Sequence, residues 1–279
     1  MKRFRLLLLA VSLAGCTAEV RETDLLRPLP GGALSAEAVA AAAPAFTLAE
    51  HRIAGAGGDR LYAAHLRQPG ARATILYFGG NGYLVGRWGA WSASVFAPLG
   101  VDLILVDHRG FGLSEGRPSA AAMEEDGLAA FDFARRLVGP EGRIVVHGHS
   151  LGSFVAGHVA ANRPADGVVL ESSATTTEDW VEARTPGAFK PFIRKVEIDS
   201  GLRGRGNLAN MARIEEPLLL LVGAKDDTTP PRLSQSLYAA SRLPISRKTL
   251  RTIAGAGHEN VMTKPEAIDA YRAFLAALD

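Results

Sequence analysis

Residues 145–152 constrain this chain more than any other stretch, because they place a serine between two glycines where a predicted strand ends. They read Val-Val-His-Gly-His-Ser-Leu-Gly, and Gly148, Ser150 and Gly152 fit the Gly-x-Ser-x-Gly pattern of a nucleophile elbow. In such an elbow a strand turns abruptly into a helix, and the serine takes a strained backbone conformation. A side chain at position 148 or 152 would collide with the neighbouring strand or helix, so both positions need glycine.

The sequence on either side has the composition that an elbow requires. Residues 143–147 form a short β-branched run, which is typical of a buried parallel strand. Residues 154–162 are apolar and rich in alanine, and Pro164 follows them, as expected for a packed helix and its end. Glycine is abundant, with 30 among 279 residues, so a chance match is the alternative interpretation. Strand, turn and helix in this order favour the elbow.

The N-terminus has the pattern of a secretion signal. Residues 1–15 contain three basic residues near the start and then a short apolar run. They lead to Leu-Ala-Gly-Cys ending at Cys16, which resembles the lipobox of bacterial lipoproteins and implies cleavage before Cys16 and its lipidation. Several acyl chains would hold the protein stably at a membrane. We therefore expect a membrane-anchored lipoprotein of the cell envelope, on the periplasmic side, and Thr17 favours the outer membrane. An ordinary signal with an incidental cysteine is the alternative.

Residues 16–45 are predicted to be a tether, because they contain the turn-forming run 27–32 and only a short alanine-rich helix. The remaining 46–279 are long enough for one large domain. The net charge is +2, and three of the 31 basic residues lie in the signal segment. With no basic stripe and no interleaved aromatic residues, we expect no nucleic-acid partner.

Within the domain, strands and helices alternate. Residues 51–54 and 61–67 are predicted to form an antiparallel edge around a glycine-rich turn. Buried strands and amphipathic helices then follow one another through the elbow. One of these helices is predicted over residues 119–138, with Glu124, Glu125 and Asp126 on its exposed face. This order predicts an α/β fold, with a mostly parallel central sheet and helices on both faces.

Two loops carry a family resemblance. Gly79-Gly80-Asn81 follows a buried strand, and Asp107-His-Arg-Gly-Phe-Gly-Leu-Ser114 follows the next. With the elbow, these loops make the chain resemble the serine-type α/β-hydrolases with a small cap, in the group related to the abhydrolase depalmitoylases. The resemblance implies that Asp107 is structural and that the backbone N–H groups of Asn81 and Leu151 form an oxyanion hole. The family usually has His-Gly-Asn in the first loop, and the histidine is missing here.

The resemblance also implies the other two members of a catalytic triad. The family pattern Gly-x-x-Asp selects Asp226, with Asp227 as the alternative and Glu171 as a distant third. His258 lies in a glycine-rich loop after the last predicted strand. The order Ser150, Asp226, His258 is that of α/β-hydrolases. His258 would act as base and then as acid, while Asp226 would orient its imidazole.

Residues 172–213 interrupt the alternation of strands and helices and are predicted to form the cap. They contain Trp180, Phe189, Phe192 and Ile193, which would line a pocket for the apolar part of a substrate. A packed connector without contact to substrate is the alternative.

The sequence therefore predicts a serine hydrolase of the carboxylesterase or thioesterase type (EC 3.1). Its substrate would be a small-molecule or lipid-like acyl ester, and the reaction would pass through an acyl-serine intermediate. No cofactor is expected, and no metal either, because His147-x-His149 has no further ligands at metal spacing. The alternatives are an acyltransferase or peptidase with the same triad, and a non-catalytic envelope protein that binds ligands with this fold.

Overall fold

The computed structural model of the chain describes residues 11–12, 17–185 and 195–278. Most of the predicted signal peptide, the lipidation site Cys16 and the cap residues Phe189, Phe192 and Ile193 lie outside the described residues. None of the described helices is long and apolar enough to cross a membrane.

The strands are, in chain order, β1 (Val11–Ser12), β2 (Thr17–Val20), β3 (Leu29–Pro30), β4 (Thr47–Ala54), β5 (Arg60–Arg67), β6 (Thr74–Phe78), β7 (Asp102–Val106), β8 (Phe111–Gly112), β9 (Ile144–His149), β10 (Gly167–Glu171), β11 (Lys195–Ile198), β12 (Leu218–Gly223) and β13 (Lys248–Ile253). The helices are α1 (Glu22–Leu25), α2 (Ala36–Ala42), α3 (Val85–Phe96), α4 (Ala120–Val138), α5 (Leu151–Ala160), α6 (Thr177–Arg184), α7 (Pro231–Ala240) and α8 (Pro265–Ala276).

Eight of the strands form the central sheet, in the order β13-β12-β10-β9-β6-β7-β5-β4. The strands from β13 to β7 in this order pair in parallel, whereas β5 pairs antiparallel with β7 and β4 with β5. Every residue of β6, β9, β10 and β12 is buried, which explains their nearly continuous apolar sequences. The antiparallel edge lies where the sequence predicted it.

Helices cover both faces of the sheet. On one face α2, α3 and α8 surround a core that includes Phe96 and Tyr271. On the other face α4, α5 and α7 pack over a core that includes Phe131 and Val155. The predicted α/β-hydrolase architecture, with a mostly parallel sheet between two layers of helices, is confirmed.

Residues 17–46, which we call the strap, differ from the predicted tether. The strap crosses the domain with Leu26, Leu34 and Val39 each at most 4% exposed. Its strand β3 pairs with β8, and its helix α2 packs on α3. The prediction of a tether was wrong because the turn-forming residues 27–32 allow the strap to change direction along the surface, where its apolar residues are buried.

The strap also joins the segment predicted as the cap. Strand β2 of the strap pairs in parallel with β11, which lies in residues 172–213. Val20 of the strap, Val181 of α6 and the cap residues Ile198 and Leu202 form a small core of their own. Strap and cap are therefore packed together as one cover on the domain.

Candidate active site

Ser150 lies at the turn between β9 and α5, at the carboxyl edge of the sheet. Its backbone has φ of 52° and ψ of −118°, and only one other described residue apart from glycine, Ser172, has a positive φ. A Cβ atom on Gly148 would overlap the carbonyl of Gly152, and a Cβ atom on Gly152 would overlap that of Phe78 in β6. The two glycines thus allow the strained turn to pack against both the helix and the neighbouring strand.

The structure brings together the three residues that the sequence predicted as a triad. His258 Nε2 lies 2.8 Å from Ser150 Oγ. His258 Nδ1 lies 2.9 Å from Asp226 Oδ2 and 3.1 Å from Oδ1. One imidazole therefore bridges a hydroxyl and a carboxylate, and such an arrangement can move a proton from the hydroxyl while the carboxylate stabilises the resulting charge. Asp227 is exposed and forms no hydrogen bond with His258, whose Nδ1 is bonded to Asp226.

The carboxylate of Asp226 is held in place by the turn that follows it in the chain. Its Oδ1 accepts hydrogen bonds from the backbone N–H groups of Thr228, at 2.9 Å, and Thr229, at 2.8 Å. The hydroxyl of Thr229 donates to Oδ2 at 2.8 Å. Burial raises the pKa of Asp226, but the hydrogen bonds from His258 and Thr229 outweigh this effect and hold the pKa below its usual value. Thr229 was not among the residues predicted for the site, although an Asp-x-x-Thr turn next to a proline was a usable signal in the sequence.

His149 supports the loop that carries His258. Its Nε2 lies 3.0 Å from the carbonyl oxygen of His258, and the two rings are 5.1 Å apart between centroids. The side chain of Asn260 closes the same loop by accepting from the N–H of Gly257 at 2.8 Å. The elbow residue before the serine therefore helps to place the imidazole, a role that the sequence analysis did not assign.

The predicted oxyanion-hole residues lie on opposite sides of Ser150. Leu151 is the first residue of α5, and Asn81 is in the loop after β6. Neither backbone N–H has a hydrogen-bond acceptor among the described residues, so both are free to donate to a ligand. A Cβ atom on Gly80 would lie 3.2 Å from Ser150 Cβ, so glycine lets this loop approach the serine closely.

Three side chains brace that loop and its neighbours. His108 Nε2 lies 2.9 Å from the carbonyl oxygen of Gly79, and Asp107 accepts from the N–H groups of Val85 at 2.7 Å and Leu113 at 3.1 Å. Burial raises the pKa of Asp107 to about 6. Asp107 makes no contact with His258 and is a structural residue.

The third of these side chains is Arg109, whose partner Asp126 lies in α4. The sequence predicted an exposed acidic face that includes Asp126, yet Asp126 is only 4% exposed. Arg109 donates to both carboxylate oxygens of Asp126, at 2.6 and 2.7 Å, and to Asp59 at 2.7 Å. Asp126 is buried because it neutralises an arginine that ties the loop after β7 to α4.

A cavity of about 690 Å³ opens beside Ser150 and His258. Its lining comes from both faces of the sheet, because the serine lies at the sheet edge between them. On one side the lining includes Leu25, Leu26, Phe154, Trp180 and Leu202, from the strap, α5 and the cap. On the other it includes Tyr77, Trp88, Trp91, Phe96, Glu171 and Met262, around α3. The sequence predicted a wall from the cap but none from the strap.

The two histidines beside the elbow have protein partners. His147 Nε2 lies 3.2 Å from Glu171 Oε2, and His149 Nε2 contacts the His258 carbonyl. Among residues 17–185 and 195–278, no group of three or more histidine, cysteine, aspartate or glutamate side chains is placed to hold a metal ion.

Known proteins resemble this chain in sequence and in fold. Residues 69–201 match the Hydrolase_4 family, described as serine aminopeptidase, S33. The chain is 30% identical over 206 residues to the α/β hydrolase domain-containing protein WAV2 of Arabidopsis thaliana, covering 67% of this chain and 65% of that protein. The chain belongs to the serine α/β-hydrolases. The resemblance seen in the glycine-rich loops and the elbow is therefore confirmed at the level of this family.

A curated lipase and the solved structure of an esterase are also similar to this serine α/β-hydrolase. The lysophosphatidylserine lipase ABHD12 of Mus musculus is 30% identical over 224 residues, covering 73% of this chain and 56% of that protein. The chain thus spans less than two thirds of the length of these curated relatives. The esterase Pf2001 of Pyrococcus furiosus superposes with a TM-score of 0.70 over 90% of this chain and 97% of its own, at 19% identity, which shows a shared fold.

Proposed function

We propose that this hydrolase is a serine esterase that cleaves a carboxylic ester or thioester through an acyl-serine intermediate. The observation that carries the proposal is the bridging position of His258, 2.8 Å from the Ser150 hydroxyl and 2.9 Å from the Asp226 carboxylate. A serine hydroxyl is a weak nucleophile until a base removes its proton, and His258 is placed to be that base.

In the proposed reaction, Ser150 Oγ attacks the substrate carbonyl carbon while its proton passes to His258 Nε2. The backbone N–H groups of Asn81 and Leu151 stabilise the negative charge on the carbonyl oxygen. His258 then gives the proton to the leaving alcohol or thiol, which leaves the acyl group on Ser150. Water, deprotonated by the same imidazole, releases the acid and restores the serine.

The size and lining of the cavity favour a substrate with a substantial apolar part. The wall formed by strap and cap is mainly apolar, with Leu25, Leu26 and Leu202 close to the catalytic edge. Burying an acyl chain there gains about 0.8 kcal/mol per methylene group. We propose a lipid-like ester with one acyl chain, in keeping with the lysophosphatidylserine lipase among the relatives.

The experiment is hydrolysis of p-nitrophenyl esters from acetate to palmitate by residues 17–279, with the Ser150→Ala variant beside the wild type. Exposed Ser236 in α7 offers a matched control, Ser236→Ala. The proposal predicts that Ser150→Ala abolishes turnover and that Ser236→Ala does not, with an optimum beyond acetate. Turnover of an aminoacyl p-nitroanilide but of no ester would favour the peptidase alternative, which is motivated by the description of the matching family. No turnover would favour a binding protein.

We also propose that the enzyme is held at the periplasmic side of the envelope, in the outer membrane, through lipidated Cys16. The support is the sequence alone: the basic start, the apolar run and the single cysteine at the end of a lipobox-like stretch. Cells expressing the full chain or Cys16→Ser are fractionated after feeding a radiolabelled fatty acid. The proposal predicts a labelled protein in the outer-membrane fraction for the full chain only, and an unlabelled soluble wild-type protein would contradict it.

A further inference from the structure

The α3 side of the cavity contains a carboxylate that the proposed reaction does not use. Glu171 is the last residue of β10 and lines the cavity, although its side chain is only 6% exposed. In the sheet register it lies opposite His149, and its carbonyl oxygen accepts from the N–H of Ser150 at 2.9 Å. A buried acidic group therefore faces the cavity from the strand next to the nucleophile.

This carboxylate is only partly satisfied by the protein. Its Oε2 lies 3.2 Å from Nε2 of His147, whereas its Oε1 has no hydrogen-bond partner in the part of the chain that the structure describes. His147 is fully buried, and its ring lies 5.2 Å from that of Tyr77, 5.4 Å from that of Phe96 and 5.6 Å from that of Tyr271. One oxygen of Glu171 thus remains open as an acceptor at the cavity surface.

The pair carries a net negative charge. Burial lowers the pKa of His147, which favours the neutral imidazole, and Nε2 is the nitrogen placed to donate a hydrogen to the carboxylate. Burial alone raises the pKa of Glu171, but the hydrogen bond from His147 and the neighbouring histidines outweigh it and hold the pKa below its usual value. No lysine or arginine of the described chain forms an ion pair with Glu171. A buried charge of this kind is costly unless another group compensates it.

Charge is distributed unequally across the cavity. On the α3 side, the lining contains a second acidic residue, Glu259, which directly follows His258 in the chain. The arginines of the lining, Arg184 and Arg205, lie in the cap segment, and Arg205 is paired with Glu124. The remaining lining on the α3 side is aromatic or apolar. Ring faces and a carboxylate both attract electropositive groups in such surroundings.

We propose that the α3 side of the cavity, with Glu171 at its base, binds an electropositive group on the alcohol part of the substrate. That group is either an ammonium, which compensates the charge, or a hydroxyl, which donates to Oε1. The opposite side, formed by strap and cap, then holds the acyl chain. Glu171 is a specificity-determining residue in this account, which rests on the proposed ester hydrolysis.

The test uses three butyrate esters that differ in the alcohol: propyl, 2-hydroxyethyl and choline. The choline ester carries charge without an N–H donor, and the hydroxyethyl ester carries a donor without charge. We expect the wild type to prefer one of these two over the propyl ester by about tenfold or more in kcat/KM, the scale of discrimination that a polar contact supplies. Which of the two is preferred identifies the group.

The variant Glu171→Gln keeps the shape and a hydrogen-bond acceptor but removes the charge. If the group is an ammonium, we expect the preference for the choline ester to fall about tenfold while the propyl ester changes less than about threefold. If it is a hydroxyl, the variant keeps part of its preference for the hydroxyethyl ester. Glu215→Gln serves as the matched control, because Glu215 is exposed and does not line the cavity, and it should leave the preference unchanged.

Two results would overturn the proposal. An equal fall for all three esters in Glu171→Gln would mean that the residue only supports the fold. Equal kcat/KM of the wild type for all three esters would exclude an electropositive subsite, and this measurement does not depend on the variant folding. Absence of Ser150-dependent turnover of any ester would instead contradict the proposed function itself.

Discussion

The catalytic edge of the sheet and the cover above it are built in different ways. At the edge, Ser150, Asp226 and His258 each lie just after a strand, β9, β12 and β13, so the parallel sheet brings them to one place. The cover joins the strap to the cap through pairing of β2 with β11, which are far apart in the chain. The edge should therefore control the chemistry, and the cover should control stability and the choice of substrate.

The largest effect should come from the acid at the catalytic edge. Asp226→Asn removes the carboxylate that holds the imidazole of His258, and we expect kcat to fall about 10³- to 10⁴-fold. Asp227→Asn is the matched control, because this neighbour is exposed and forms no hydrogen bond with His258, and kcat should stay within about twofold. Steady-state kinetics on a p-nitrophenyl ester measures both. A larger loss in Asp227→Asn than in Asp226→Asn would show that the acid was assigned wrongly.

Two leucines of the strap test whether the cover is a packed part of the domain. Leu26 is 3% exposed and Leu29 is 40% exposed. Leu26→Ala should lower the free energy of unfolding by about 2–5 kcal/mol, because it leaves a cavity in the core. Leu29→Ala should change it by less than about 0.5 kcal/mol. Urea unfolding gives both values. If neither substitution changed the free energy of unfolding, the strap would be a free tether and not a packed part of the domain.

Acid should lower the free energy of unfolding of the whole domain through His65, which lies in β5 of the central sheet. Burial and the charges of His51 and Arg67 lower the pKa of His65 to about 4. The unfolded chain takes up the proton near pH 6.5, so the stability that neutral His65 supports is present above that pH and is lost as the pH falls toward 4. Between pH 7 and pH 5 the loss is about 2 kcal/mol.

The measurement is urea unfolding at pH 7 and pH 5 for the wild type and His65→Leu, which has no titrating group at this position. The variant should lose about 2 kcal/mol less than the wild type over this interval. The same loss in both proteins would show that other groups govern the acid sensitivity.

The smallest effect should come from the contact that links the two regions. Asn81 donates from its side-chain Nδ2 to the carbonyl oxygen of Leu25 in the strap at 2.9 Å. Its backbone N–H belongs to the proposed oxyanion hole, so Asn81→Ala should loosen the position of this donor. We expect kcat to fall by about three- to tenfold with little change in KM, since one exposed hydrogen bond contributes about 1 kcal/mol. An unchanged kcat would mean that strap and edge act independently.

The same contrast explains what the sequence could predict. Ser150 and its glycines are specified by local geometry, because the turn itself excludes other residues, and the order of strands then locates Asp226 and His258. Leu26 has no such signature, since its burial depends on contacts with distant parts of the chain. Asp126 was misjudged for the same reason: its partner Arg109 lies in another loop.

Some contributions to the site depend on single tertiary contacts. His149, the last residue of β9, contacts the His258 carbonyl, and nothing near it in the sequence marks this contact. Glu171 reads as a weak candidate for the triad acid, and its contact with buried His147 appears only once β9 and β10 are paired. Residue type alone could not reveal the roles of His149 and Glu171, because each depends on a contact with a distant part of the chain. Thr229 acts within a local turn, which the sequence could have indicated.

Labelling with a fluorophosphonate, followed by peptide mass spectrometry, tests most directly whether Ser150 is an activated nucleophile. We expect one label per chain, located on Ser150, which disappears in His258→Ala because the serine is no longer deprotonated. Absence of labelling in the wild type, or a label on another serine such as Ser114, would contradict this expectation.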